Sequence, residues 1–174
     1  MQIETPRLVL RPWREEDRAA LAGMCADPEV MWDYGHVFSR AESDLRFDRY
    51  SETYARLGYC RWLVERDGTF IGHCGIQPLG PDHALGECVE IGWRLIRAAW
   101  GFGYASEAAL AALKDGFGRC GMGEILSYTS STNARSEAVM RRIGLARAAE
   151  RDHAAHGESW VVYVGRPEML TSPP

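Results

Sequence analysis

The chain has 174 residues, 46% of them apolar and 25% charged, with 24 Asp+Glu against 20 Lys+Arg and a formal net charge of −4. That profile describes one globular domain with a sizeable core, and excludes a disordered chain and a disulfide mini-protein. The acidic balance excludes sequence-blind nucleic-acid binding, and no apolar run approaches the roughly 20 residues of a membrane span. The opening Met1-Gln2-Ile3-Glu4-Thr5 lacks the regions of a signal peptide, so a cytoplasmic chain is expected. Eighteen glycines, against roughly 7% on average, point to places that need close backbone approach or positive φ.

Residues 5–12 alternate polar and apolar side chains and predict a strand closed by Pro12. Residues 13–25 read as a helix, with Arg14-Glu15-Glu16-Asp17 as a charged first turn and Leu21 and Met24 on one face. Asp27-Pro28 breaks it. Ser39 caps a second helix reaching about Arg56, with Glu42 as its capping-box partner and Leu45, Tyr50 and Tyr54 on its inner side. Strands are expected over 59–65, 70–77 and 88–96, the first two joined by a Gly68 turn, the last two by a loop over 78–86.

Ala105, Ala108, Ala109, Ala112 and Leu113 then recur at helical steps, giving a small-residue face suited to close packing on a sheet. A strand over 124–130, a helix over 134–143 stopped by Gly144, and strands over 145–152 and 159–165 complete the pattern. Residues 171–174 read as a loose tail. This order predicts an α/β (α+β) layer protein with a largely antiparallel sheet, one domain over 1–174 with its core over about 5–166.

Cys25, Cys60, Cys74, Cys88 and Cys120 are odd in number, widely spaced and without a Cys-x-x-Cys, so reduced, mostly buried thiols are expected. His153 and His156 lie near Asp152 and Glu158 but lack the tight spacing of zinc ligands. The segment reads as a solvated loop, and no metal is expected.

The strand over 88–96 feeds the turn Trp100-Gly101-Phe102-Gly103-Tyr104-Ala105-Ser106, which opens a helix. The first amides of a helix have no internal partner and carry the positive end of its dipole. Glycines let a phosphate approach them. The turn is a candidate pyrophosphate cradle with the Ser106 hydroxyl as a further donor. A ligand-free glycine turn is the alternative. A P-loop needs a Gly-Lys-Ser/Thr that is missing here, and Ser106 stands where the dinucleotide fingerprint needs its third small residue.

Trp100-Gly101-Phe102-Gly103-Tyr104-Ala105-Ser106-Glu107-Ala108 resembles the acetyl-CoA signature of the GNAT N-acetyltransferases in their RimJ/RimL-like form. Thr5-Pro6-Arg7-Leu8-Val9-Leu10-Arg11-Pro12-Trp13 is similar to that branch's opening strand. The stretch from Asn133 and Ser136 through Val139-Met140-Arg141-Arg142-Ile143-Gly144 is similar to its Asn-x-x-Ser…Val-Met-x-Lys/Arg-x-Gly block. The resemblance implies a GNAT-like fold: a mixed, mostly antiparallel sheet flanked by helices, with a central strand pair splayed into a V-shaped slot. It implies acetyl-CoA as cosubstrate and direct attack on the thioester by a primary amine of a protein N-terminus, a lysine or a small molecule. The alternative is a non-catalytic acetyl-CoA-binding regulatory module.

Carried over residue by residue, the resemblance gives Ile91, Trp93 and Leu95 the pantetheine arm. It gives Gly101, Phe102, Gly103, Tyr104, Ala105 and Ser106 the pyrophosphate. Asn133 matches a cofactor-bonding position, and Arg142, or its neighbours Arg135 and Arg141, a CoA phosphate contact. Ser136 is the candidate donor at the thiol end, and Trp93 N–H the candidate for the thioester oxygen. Glu90 is the candidate base, with apolar surroundings expected to raise its pKa. Trp32 and Tyr34 are candidate acceptor contacts. Arg97-Ala98-Ala99 departs from the Pro or Asp that the branch often carries there. Dimers are common in the branch, which leaves a homodimer open.

Overall fold

The structure, a computed structural model, describes residues 1–155 and 158–170. Nine strands among these residues form one sheet: β1 (Ile3–Glu4), β2 (Val9–Arg11), β3 (Arg61–Arg66), β4 (Thr69–Leu79), β5 (Cys88–Leu95), β6 (Ile125–Ser130), β7 (Ala146–Arg147), β8 (His153–Ala155) and β9 (Glu158–Gly165). Their order is β1-β2-β3-β4-β5-β6-β9-β7, with β8 also on β9. Every pairing is antiparallel except β5 with β6.

Helix α3 (Tyr104–Gly118) covers one face through its buried stripe of Ala108, Ala109, Ala112 and Leu113. The approach is close enough that a Cβ on Gly116 would lie 2.4 Å from the Ile76 side chain. Helix α4 (Ala134–Arg142) adds Val139 and Met140 to the same core. The other face is covered by α1 (Arg18–Cys25) and α2 (Arg40–Leu57), which bury Leu21, Met24, Phe47 and Tyr50 with Trp13 and Leu63. Alternation along β3 divides the layers: Trp62 and Val64 face α3, and Leu63 faces α1 and α2.

The Ser39 capping box forms as expected, with Glu42 N donating to Ser39 Oγ and Ser39 N donating to Glu42 Oε2 at 2.8 Å. Three expectations are corrected. Leu45 is 70% exposed, and the buried side of α2 is Ser43, Phe47, Tyr50 and Thr53. Two residues past Ser43, position 45 lies on the far side of a helical turn. Trp13 stands outside α1: its indole donates to Arg61 O at 2.6 Å, and a single 3-10 turn over Glu15–Asp17 precedes Arg18. The strand expected over 145–152 stops at Arg147, and strand β8 appears at His153–Ala155, where a loop was expected. Asp152 takes Arg147 and the Val162 amide on its carboxylate and so redirects the chain there. His156 and the tail over 171–174 lie outside the described residues.

Arg11 reaches from β2 to Asp17 with a two-pronged pair (2.7 and 2.9 Å) and also to Glu65 on β3. Burial opposes ionisation of Asp17, but hydrogen bonds from Arg11 and the Arg14 amide outweigh it and hold the carboxyl below its ordinary value. A depressed folded-state pKa stabilises above the unfolded value near 3.9 and loses that effect as pH falls through the folded value. Asp17→Asn should therefore cost about 3 kcal/mol at pH 7 in urea unfolding. The gap from wild type should shrink as the buffer is made more acidic than pH ~4.

Candidate active site

The site originates where β5 and β6 part. Their parallel pairing consists of the single rung Glu90 with Leu126. Beyond it each strand is held only on its outer side, β5 by β4 up to Leu95 and β6 by β9 up to Ser130. Both strands keep their outer ladders while the right-handed twist turns them apart. A cavity of about 960 Å³ opens between them. Its lining includes Glu90, Gly92 and Trp93 of β5, Ser127, Tyr128 and Thr129 of β6, and the first turns of α3 and α4.

The main-chain groups of β5 that face the gap are unequally occupied. Ser127 Oγ donates to Ile91 O at 3.0 Å, and the Trp100 indole donates to Leu95 O at 2.8 Å. Trp93 sits between them, two residues from each, and directs its main chain the same way. The Ile91 side chain is buried in the core, whereas Trp93 and Leu95 line the cavity.

At the mouth, Gly101 and Gly103 hold φ of +86° and +80°, a region that side-chain-bearing residues rarely adopt. Gly103 is the N-cap of α3 and supplies no side-chain cap. The amides of Tyr104, Ala105 and Ser106 therefore open the helix beside the cavity. Ser106 Oγ is buried, lines the cavity and has no hydrogen-bond partner among the described residues. An orphaned hydroxyl beside free helix amides fits the phosphates of CoA. Phe102 lies outside the cavity lining, is 57% exposed and stacks on Tyr104.

The cradle is tied to the N-terminal hairpin by Glu107. Its carboxylate accepts from Thr5 Oγ1 (2.7 Å), Arg7 N (3.0 Å) and Arg7 Nε (2.6 Å), and Arg7 also donates to Phe102 O. Burial opposes ionisation of Glu107, yet these bonds hold its carboxyl below the usual range. Two blocks that look separate in the sequence are thus one clamp.

Helix α4 brings the next group. Asn133 Oδ1 caps it by accepting from Ser136 N at 3.1 Å, and both residues line the cavity. Arg135 lies over Trp100, 4.6 Å from the ring centroid. Arg135 and Arg142 line the cavity without a carboxylate partner among the described residues, whereas Arg141 turns away to Glu137 and Tyr163. The two unpaired guanidiniums are placed for anionic oxygens.

Trp32 and Tyr34 form the opposite wall, 44% and 42% exposed. Asp33 between them is gripped on both oxygens by Arg94, at 2.7 and 2.8 Å. Burial would raise the Tyr34 phenol, but Arg46 and Arg94 beside it lower it overall.

Glu90 is buried and paired with Arg61, so the apolar surroundings expected for it are corrected. Arg61, Gly92, Tyr128 and His83 were not singled out from sequence. Leu85 N donates to His83 Nδ1 at 3.2 Å, and the Nε2 side faces Tyr128 OH at 3.2 Å. Burial holds His83 below its usual pKa, so Nε2 carries the proton and donates, leaving the phenol proton free for the cavity. Burial pushes Tyr128 itself up to about 12, so it stays a donor. The signals for the missed residues were a charge amid the apolar Cys60 and Trp62, and glycines inside strands.

A splayed sheet whose slot meets an uncapped helix N-terminus is the architecture of an acyl-CoA acyltransferase. The acetyltransferase (GNAT) domain profile matches residues 7–146, and the chain belongs to that family. YkkB, an uncharacterized protein of Bacillus subtilis (strain 168), is 31% identical over 147 residues, covering 83% of this chain and 84% of YkkB. The crystal structure of an acetyltransferase from Agrobacterium tumefaciens str. C58 has a TM-score of 0.83 at 27% identity, covering 95% of this chain and 94% of that one. RimL, a ribosomal L7/L12 alpha-N-protein acetyltransferase solved with coenzyme A, has a TM-score of 0.78 at 18% identity, covering 95% and 98%. The RimL likeness concerns the fold.

Ser106→Ala should weaken CoA binding about fivefold, the worth of one hydrogen bond of about 1 kcal/mol. Isothermal titration calorimetry reads the affinity. The melting temperature should hold or rise, because a buried hydroxyl without a partner has been removed.

Proposed function

We propose that the chain transfers an acetyl group from acetyl-CoA to a single primary amine by direct attack on the thioester. The observation that carries this reading is the one-rung splay, which puts a buried carboxylate and a phosphate-ready helix terminus in the same cavity. The amides of Tyr104 to Ser106, with Arg135 and Arg142, hold the CoA phosphates. Trp93 offers its main chain to the pantetheine arm and a donor to the thioester oxygen.

In the reaction, the acceptor nitrogen bonds to the acetyl carbon and the carbon–sulfur bond breaks. Starting from the ammonium form, the nitrogen gives up two protons: one ends in solvent and the other replaces the proton that joins the sulfur, so atoms and charge balance. An amine is mostly protonated at pH 7, so a proton acceptor is needed at the slot, and Glu90 is placed for it. Ser136 and Tyr128 supply the hydroxyls that donate towards the departing sulfur.

Both carboxylates that line the cavity are already matched by arginines, Glu90 by Arg61 and Asp33 by Arg94. A polyamine needs uncompensated carboxylates along its length. The aromatic wall of Trp32 and Tyr34 suits instead one amine attached to an apolar or aromatic body.

Release of free thiol from acetyl-CoA, followed over amino-acid amides, short peptides, lysine and spermidine, tests this. Turnover should favour the monoamines. Tight CoA binding with no turnover would instead favour a regulatory module. Glu90→Gln should lower kcat/KM about 100-fold with CoA affinity unchanged.

A further inference from the structure

Arg61 belongs to β3, two strands away from Glu90, and yet it reaches the cavity. The sheet register explains how. Arg61 pairs with Gly75 on β4, and Gly75 pairs with Gly92 on β5, so these three residues form one row across the sheet. Strands are spaced about 4.8 Å apart, so the guanidinium must cross roughly 10 Å to reach β5. Where it arrives on β5 the position in that row, Gly92, carries no side chain. A Cβ on Gly92 would lie 2.4 Å from Nη1, 2.5 Å from Nη2 and 2.7 Å from the central carbon of the guanidinium. The missing side chain is the space that Arg61 occupies.

The guanidinium ends on Glu90, with Nη2 donating to Oε1. Glu90 Oε2 accepts no hydrogen bond from the described residues. The contrast is Asp33, whose two oxygens are both taken by Arg94. Asp33 is locked; Glu90 keeps one oxygen for an incoming group, at the point where β5 and β6 diverge.

We infer that Arg61 is a positioning residue: admitted by Gly92, it fixes Glu90 Oε1 and presents Oε2 to the acceptor amine. This rests on the acetyltransferase reading above, in which one of the two protons that the ammonium nitrogen gives up goes to Oε2 and then to solvent. The other groups facing Glu90 do not replace Arg61. Gln77 lies across from it on β4, Tyr128 on β6 is a neutral phenol, and His83 and Cys88 are not cationic partners. His73, near Arg61, is buried with neither ring nitrogen bonded among the described residues, and burial with Arg61, Arg46 and Arg94 nearby keeps it neutral.

The test uses the full chain with Gly92→Ala, Arg61→Met and Arg61→Lys. Gly92→Ala adds one methyl, removes no charge and leaves φ in an ordinary region, so folding, checked by circular dichroism, should survive. Expected for Gly92→Ala and Arg61→Met is at least a 30-fold fall in kcat with CoA affinity within twofold. The acid limb of the kcat/KM profile should move to higher pH, because a buried carboxylate without its cation holds its proton longer. Arg61→Lys should recover part of the rate. In parallel, carbon-13 NMR of glutamate-labelled protein should show the Glu90 carboxyl titrating at higher pH in both disabling variants. Wild-type turnover with unchanged kcat and acid limb in Gly92→Ala and Arg61→Met would overturn the inference alone. If wild type acetylates no amine, the function reading falls. The Glu90 titration then still decides Arg61's part, and an unmoved value overturns it.

Discussion

The whole site depends on one place where pairing stops. Strands β5 and β6 share a single parallel rung and then separate, because each has a better partner on its other side. Continued pairing would have sealed the slot with main-chain bonds. The gap instead exposes a row of β5 main-chain groups, two of which the protein satisfies itself through Ser127 and Trp100. A flat, fully paired sheet with the same side chains would have no site.

Around that gap the molecule uses absent side chains twice, for different purposes. At Gly101 and Gly103 the benefit is conformational: positive φ brings the turn into α3 without a capping side chain. At Gly92 the benefit is volume, since an arginine from two strands away lies where a Cβ would be. Charge is handled by the same economy. The cavity's carboxylates are matched on the acceptor side, and its unmatched guanidiniums stand where the phosphates are expected. This explains how a chain of net charge −4 can be built to hold an anionic cosubstrate.

Much of this was legible in the sequence, for physical reasons that can be named. The alanine stripe of α3, the Ser39 capping box and the Gly-rich turn are local patterns, and local patterns write themselves into consecutive residues. Leu45 misled because a hydrophobic residue alone does not say which face of α2 is covered, and there the core side holds Ser43 and Thr53. Glu90 was found, but its partner was not. Arg61 is 29 residues earlier, and only the register of β3, β4 and β5 brings them together. Tyr128 and His83 are joined in the same non-local way. Glycine was read mainly as a turn and cap residue. Those at 72, 75 and 92 lie inside strands, where they mark close approach.

The row of Arg61, Gly75 and Gly92 also constrains descent. Position 92 admits no side chain while the arginine holds its place beside Glu90, and opens once the arginine is lost. Among relatives of this chain the two positions should therefore change in a fixed order, arginine first and glycine second. Two residues far apart in the chain are in that sense inherited as one character.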